Sequence, residues 1–179
     1  MKLSRYLTLI LLLISVIFIV GCNQKSENGL NAQQVEMPVE LTLNIGETAK
    51  ISDTEVTVIS AQKSKSFEYY SAYDKKDVKE AVLPGQISIL VEAEIKNIGA
   101  ESNFLGSENF SAVNSEGHKY KPALYHGSDE LASIGEIEQN QEIKGKFVFI
   151  LPETSEGWKI QYDFGDVPTE TKLASWPVE

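Results

Sequence analysis

A hydrophobic period of two between residues 86 and 96 is the strongest constraint that the sequence places on the fold. Successive side chains of a β-strand point to opposite faces, and antiparallel sheets commonly bury one face and expose the other. The intervening residues are polar or charged, with the exception of Leu90. The apolar set is Ile87, Ile89, Val91, Ala93 and Ile95. The segment is therefore predicted to be a strand with one face in a core and one in water.

Shorter segments of the same character recur along the chain and are separated by turn residues. Residues 55–60 alternate with β-branched side chains, and residues 109–113 are predicted to form a shorter strand before an Asn-Ser-Glu-Gly turn. Two further segments carry an apolar face: Ile143, Gly145, Phe147 and Phe149 in the first, and Trp158, Ile160, Tyr162 and Phe164 in the second. About seven short strands with turns between them predict an antiparallel β-sandwich.

The N-terminus has the layout of a secretory signal. Lys2 and Arg5 precede an apolar run, 7–20, which ends in Gly21 and Cys22, the single cysteine of the chain. A basic start, an apolar stretch of about 7–15 residues and small residues at the cut are typical of such signals. The alternative is an uncleaved transmembrane helix, which needs about 20 apolar residues. The ending Ile-Val-Gly-Cys resembles the lipobox of prokaryotic lipoproteins, which implies cleavage before Cys22 and a lipid on its sulfur.

These features predict four parts of the chain: a signal peptide over 1–21, a lipidated flexible tether over 22–40, the sandwich over 41–165 and a C-terminal tail over 166–179. Signal removal leaves 26 acidic residues and a net charge near −12. Nucleic acid and anionic headgroups need basic patches, so neither is expected as a partner. With one cysteine, the chain forms no internal disulfide, and its stability must come from its core.

Three stretches resemble a known family. Residues 91–99, 110–120 and 145–152 resemble the long strand, the strand with its Asn-x-x-Gly turn, and the Gly-x-hydrophobic-x-Phe-x-x-Pro strand of an immunoglobulin-like domain of unknown function. That domain occurs in many secreted bacterial and archaeal lipoproteins, and its members are often mislabelled as telomeric-repeat-binding factors. Residues 139–141, Gln-Asn-Gln, stand where the family usually has Pro-Gly. The resemblance implies an immunoglobulin-like sandwich over roughly 45–164 and supplies no catalytic residues.

No metal or cofactor is predicted from the titratable residues. His118 and His126 fall in a loop-rich stretch, where two solvated histidines are the simpler interpretation, because zinc needs three or four converging ligands. Whether loop carboxylates bind calcium is left open. The candidate pairs, Asp74 with Asp77 and Asp163 with Asp166, match no calcium-loop spacing. Asn109 begins an Asn-x-Ser sequon, so its glycosylation is also open in a host with that machinery.

The segment 67–83 is the candidate recognition surface. Tyr69, Tyr70 and Tyr73 lie beside a cluster of lysines and aspartates. Tyrosines on a loop bring a large contact area at a low entropic cost, which is typical of binding surfaces. The alternative is a strand whose tyrosines pack on the sheet, followed by a solvated charged loop.

The expected function is a non-enzymatic binding or interaction module, lipid-anchored on the extracytoplasmic side of the cell membrane. Its partner is expected to be a protein or a small solute at the cell surface. One alternative is an accessory or sensory subunit that presents a solute or signal to a membrane transporter or receptor. An envelope hydrolase has less support, because the sequence lacks a Gly-x-Ser-x-Gly motif and places its acids on outer strand faces or in loops.

Overall fold

The computed structural model describes residues 39–179, and β-strands form most of this part of the chain. The strands in chain order are β1 (Val39–Thr42), β2 (Thr48–Ile51), β3 (Thr54–Ser64), β4 (Ser66–Ser71), β5 (Lys76–Ala81), β6 (Gln86–Asn97), β7 (Asn103–Leu105), β8 (Phe110–Val113), β9 (Lys119–Tyr120), β10 (Gly135–Ile137), β11 (Glu142–Pro152), β12 (Lys159–Asp163) and β13 (Thr171–Pro177). A short 3-10 turn at Ser107–Asn109 precedes β8. Between residues 39 and 179, no helix is long and apolar enough to cross a membrane.

Two larger sheets form the layers of a sandwich. One has the strand order β1-β13-β12-β8-β9 and the other the order β11-β6-β3-β2. Strand β1 runs parallel to β13, and every other neighbouring pair in these two sheets is antiparallel. Two small sheets, β10-β7 and β4-β5, complete the described chain. This architecture confirms the predicted all-β sandwich.

The core lies between the two larger sheets, and the predicted strand faces supply it. All five apolar residues of the period-two segment in β6 are at most 8% exposed. Phe147 of β11 and Phe110 of β8 meet across the core with ring centroids 4.7 Å apart. Trp158 and Tyr162 are also buried on the predicted face of the segment around β12. The assignment of inner and outer faces from the sequence is therefore confirmed for these strands.

Asn97 fixes the turn at the end of β6. Its side chain is buried and donates to the backbone oxygens of Glu101 and Ile137, at 2.7 and 2.9 Å. Its Oδ1 accepts a hydrogen bond from the Gly99 backbone at 2.9 Å. A buried amide costs free energy unless it is paired, so this arrangement favours one geometry for the turn. The predicted turn after the long strand thus also ties it to β10.

The structure corrects the predicted domain boundaries at both ends. Residues 171–177 are not part of a tail, because they form β13, which lies between β1 and β12 inside the five-stranded sheet. Ala174 and Trp176 of this strand are completely buried. At the other end, the predicted tether reached residue 40, but Val39 and Glu40 belong to β1. The predicted signal peptide, Cys22 and the rest of the tether lie outside the described residues.

Glu40 connects the edge strand β1 to β12 across the outer face of the five-stranded sheet. Its carboxylate accepts hydrogen bonds from Lys159 Nζ at 2.6 Å and from Gln161 Nε2 at 2.9 Å. Gln161, which the alternation placed on the solvent face, is consequently only 5% exposed. Partial burial alone would raise the pKa of Glu40, but the hydrogen bonds from Lys159 and Gln161 outweigh it and lower that pKa below its ordinary value.

Candidate interaction surface

The tyrosine-rich segment folds as a β-hairpin. Strands β4 and β5 pair antiparallel from Ser66 opposite Ala81 to Ser71 opposite Lys76. The Ser71 hydroxyl accepts a hydrogen bond from the backbone of Asp74 at 3.1 Å, and Lys75 takes a left-handed conformation with φ of 54°. The sequence predicted a long connection here that contains at most one strand. The structure shows two strands joined by a tight turn.

A second hydrophobic cluster fixes this hairpin on the outer face of the four-stranded sheet. Phe67 is 5% exposed and packs with Tyr125 and Val148, both buried. Leu90, the apolar exception on the outer face of β6, is part of the same cluster. The exception thus has a structural reason, because the hairpin covers it. The apolar contacts that anchor the base of the hairpin therefore belong to this second cluster and not to the main core.

Tyr125 is held by a polar network at the edge of this cluster. Its hydroxyl donates to Asp129 Oδ1 at 2.9 Å, and Asp129 Oδ2 pairs with Lys146 Nζ at 2.7 Å. Burial, followed by the hydrogen bond to Asp129, raises the pKa of Tyr125 above its ordinary value. Burial would raise the pKa of Asp129 as well, but the hydrogen bonds from Lys146 and Tyr125 outweigh it and lower that pKa. The network therefore favours the ionised form of the Asp129 carboxylate.

A loop over residues 123–131 covers the outer edge of β11. Ala123 donates from its backbone to Val148 at 2.7 Å, and Leu131 donates to Lys146 at 2.9 Å. The close approach depends on Gly145, because a Cβ there would lie 2.6 Å from the Leu131 nitrogen. The loop also reaches the hairpin, where the Ser128 nitrogen donates to the Tyr70 oxygen at 3.0 Å. An edge strand that could pair with other chains is in this way covered.

The three candidate tyrosines have different environments. Tyr69 is half-buried and meets the Tyr125 ring edge-on, with centroids 5.6 Å apart. Tyr70 is 47% exposed on the opposite face of β4, and Tyr73 is 95% exposed at the turn. The hairpin therefore combines both interpretations of the sequence, because Tyr69 packs on the sheet whereas Tyr70 and Tyr73 project into solvent.

Within the described residues, the other candidate residues do not come together to form a metal site. Between residues 39 and 179, no group of three or more His, Asp, Glu or Cys side chains is placed to hold a metal ion. His118 and His126 are both exposed, and His118 lies 3.2 Å from Glu116. The carboxylate of Asp163 accepts a hydrogen bond from its own turn, at the Gly165 nitrogen. The amide of Asn109 is used within the fold, donating to the Asp163 oxygen and accepting from Gly106.

Sequence reasoning missed one surface feature. A cleft of about 380 Å³ beside the 3-10 turn is lined in part by Leu124, which is 72% exposed. Two more apolar side chains are exposed at the small β10-β7 sheet. Phe104 of β7 is 62% exposed, and Ile134, which immediately precedes β10, is 54% exposed. The sequence offers one signal for this feature, which is a large apolar residue, Leu124, in a segment without a clear period.

The described chain is thus an immunoglobulin-like β-sandwich with a surface hairpin of exposed tyrosines. It belongs to the family described as a domain of unknown function, DUF4352, whose model matches residues 43–172. The resemblance inferred from the three sequence stretches is confirmed by this match. No curated protein matches the chain.

Solved structures share the fold at low sequence identity. An uncharacterised beta-sandwich protein from Clostridium difficile is 14% identical, with 80% of this chain and 97% of that chain covered and a TM-score of 0.52. The ycdA protein of Bacillus subtilis, described as a candidate lipoprotein, is 16% identical over 76% of this chain and 39% of that chain, with a TM-score of 0.54. The secreted protein MPT63 of Mycobacterium tuberculosis is 18% identical over 79% and 100%, with a TM-score of 0.52.

Proposed function

We propose that this protein is a non-catalytic interaction module of the cell envelope that binds a protein partner through its β4–β5 hairpin. The observation that carries the proposal is the exposure of Tyr70 and Tyr73 on a hairpin whose base is fixed by Phe67. A rigidly anchored tyrosine loses little conformational freedom on binding, and tyrosine is enriched among binding hot spots. The hairpin is therefore suited to present these two rings to a partner.

The proposal includes a location outside the cytoplasm, with a lipid on Cys22. It is supported by the basic, apolar and Gly-Cys pattern of residues 1–22 and by the descriptions of two proteins of the same fold, one secreted and one a candidate lipoprotein. Two acyl chains hold a protein stably on a membrane, whereas one gives reversible binding. Cys22→Ala should leave an unprocessed precursor without lipid. Normal processing and lipid labelling of that variant would refute the anchor.

The experiment for the binding role is crosslinking from intact membranes, followed by purification of the full chain. The double variant Tyr70→Ala, Tyr73→Ala should lose the crosslinked partner, because truncating a hot spot costs about 2 kcal/mol or more. A matched control removes exposed apolar side chains elsewhere, with Phe104→Ala and Leu124→Ala together. The control should keep the partner. Retention of the partner by the tyrosine variant, or loss by the control alone, would place the contact surface outside the hairpin.

A further inference from the structure

Within residues 39–179, strand β5 has one edge without a neighbouring strand. The Val82 nitrogen donates to the Lys65 oxygen at 3.1 Å, which makes this residue pair a hydrogen-bonded one. Antiparallel pairs alternate between hydrogen-bonded and non-hydrogen-bonded, so the register places the backbone groups of residues 76, 78 and 80 toward β4. The N–H and C=O groups of residues 77, 79 and 81 consequently point away from β4. In the described chain, β5 has β4 as its only strand neighbour.

The charges along this edge are antisymmetric about Val78. Lys76 and Asp77 precede it, and Lys79 and Glu80 follow it. All four charged residues are exposed, and Val78 is half-buried. A two-fold axis through Val78 would place each charge opposite one of the other sign.

Only one antiparallel register of β5 with a second β5 satisfies all of these charges. The outward backbone groups must face each other, so the axis passes through a residue and not between two residues. An axis at Lys76 sets two lysines opposite each other, and an axis at Glu80 sets two glutamates opposite each other. An axis at Asp77 sets two aspartates opposite each other, and an axis at Lys79 sets two lysines opposite each other. Directly opposite like charges are destabilising, whereas opposite charges stabilise a strand pair. The axis at Val78 sets Asp77 opposite Lys79 and Lys76 opposite Glu80, twice each.

We propose that two copies of this protein associate through antiparallel pairing of their β5 edges about a two-fold axis at Val78. The pairing extends each hairpin into one four-stranded sheet, with the order β4-β5-β5-β4. Asp77 of each copy exchanges two backbone hydrogen bonds with Lys79 of the other. Such an interface is isologous, so it closes at a dimer and leaves no β5 edge free for further addition.

The neighbouring strand supports this arrangement. Lys79 already pairs with Glu68 of β4 at 3.1 Å, so in the dimer it lies between two carboxylates. Lysines on an edge strand usually prevent pairing with other chains. Here they would prevent pairing in every register except the one centred on Val78. The dimer uses the β5 edge and neither of the exposed tyrosines, so it is independent of the proposed function.

The first test is disulfide crosslinking of the full chain. At a two-fold axis the two copies of residue 78 form a non-hydrogen-bonded pair with Cα atoms about 4.5 Å apart, which is within the range of a disulfide. Two copies of residue 77, or of residue 79, are offset by two positions and lie roughly 8 Å apart. Val78→Cys should therefore crosslink at least about fivefold faster than Asp77→Cys or Lys79→Cys, because those pairs exceed the disulfide limit of about 7 Å. The parent chain with Cys22 gives the baseline.

The second test reverses charges in the Val78→Cys chain. Lys79→Asp sets acid against acid in its own dimer, and Asp77→Lys sets base against base, so each variant alone should crosslink about tenfold less. A mixture of the two variants restores both pairs of opposite charge, and heterodimers should form at close to the parent rate. Since these residues are exposed, an unchanged melting temperature is expected for each variant.

Each outcome decides the proposal. Equal crosslinking at positions 77, 78 and 79, crosslinking that ignores the charge reversals, or a mixture that stays monomeric would overturn it. Tyr70→Ala with Tyr73→Ala should leave the Val78→Cys crosslink unchanged while removing the partner of the proposed function. A failure of either proposal is therefore visible separately from a failure of the other.

Discussion

The indole nitrogen of Trp176 donates a hydrogen bond to the backbone oxygen of Glu47 at 3.0 Å. Trp176 belongs to the five-stranded sheet, whereas Glu47 immediately precedes β2 of the four-stranded sheet. The bond therefore connects the two layers of the sandwich near its first and last strands. The last strand is thus part of the core, in packing as well as in sheet pairing.

Replacing Trp176 by Ala should strongly destabilise the fold. Truncating a buried tryptophan costs about 3–5 kcal/mol, a large share of a total stability of about 5–15 kcal/mol. Denaturant unfolding followed by fluorescence measures this loss. Phe104→Ala, at a side chain 62% exposed, is the control and should change the unfolding free energy by about 0.5 kcal/mol or less. Equally small changes in the unfolding free energy for both variants would mean that β13 does not contribute to the stability of the fold.

A methyl group at Gly145 should displace the loop that covers β11. The added Cβ would lie 2.6 Å from the Leu131 nitrogen, and backbone cannot move aside as a flexible side chain can. Overpacking of this kind costs about 1–3 kcal/mol. Gly135→Ala is the matched control, because a Cβ there meets nothing within 4 Å. Thermal unfolding of the two variants should differ, and hydrogen exchange at Leu131 should rise only in Gly145→Ala.

The tyrosines of the hairpin should separate into two classes by their effect on stability. Tyr69→Ala removes the edge-on contact with Tyr125, and such aromatic pairs contribute about 0.5–1.5 kcal/mol beyond their buried area. The double variant Tyr70→Ala, Tyr73→Ala should leave the melting temperature nearly unchanged, since surface changes usually fall within about 0.5 kcal/mol. Calorimetry of both variants checks this. A greater loss in the double variant would show that these two rings are structural.

Glu40 should make stability depend on pH in the acidic range. Its pKa is lowered in the folded protein, so its ionised form stabilises the fold, and this contribution is complete above the ordinary value of 4.5. The contribution is lost as the pH falls through the lowered pKa. The difference in unfolding free energy between the parent and Glu40→Gln should therefore shrink below about pH 4.5. A difference that is constant from pH 7 to pH 3 would contradict the role of this carboxylate.

The strands that the sequence predicted well are those whose alternation is complete. In β6, five successive inner positions are apolar, and the structure buries all of them. Strand β13 was missed because its inner positions carry Lys172, Ala174 and Trp176, which form no continuous apolar stripe. Strand β1 was missed because it has only two apolar residues, Val39 and Leu41, which lie at the edge of the sheet and remain 54% and 37% exposed. Pairing with a distant neighbour defines both strands.

The hairpin could be predicted only in part for a related reason. Phe67 and Tyr69 alternate with polar residues, but the apolar residues of β5 are only Val78 and the small Ala81. Its strand conformation comes from pairing with β4 and from the cluster beneath, which a local pattern does not reveal. The tyrosines were identified from composition, and only the structure separates the packed ring of Tyr69 from the exposed ones.

The parallel pairing of β1 with β13 has a mechanical consequence. The register runs from Val39 opposite Thr171 to Thr42 opposite Ser175, so the first strand enters the sheet at one pole and the last strand leaves toward the other. A pulling force applied at Val39 along the strand axis, with the C-terminal end of β13 held, acts as shear between β1 and β13. Shear loads the hydrogen bonds between the two strands together, whereas peeling would break them one by one. This pairing therefore favours resistance of the domain to a pulling force applied at the N-terminal end of β1.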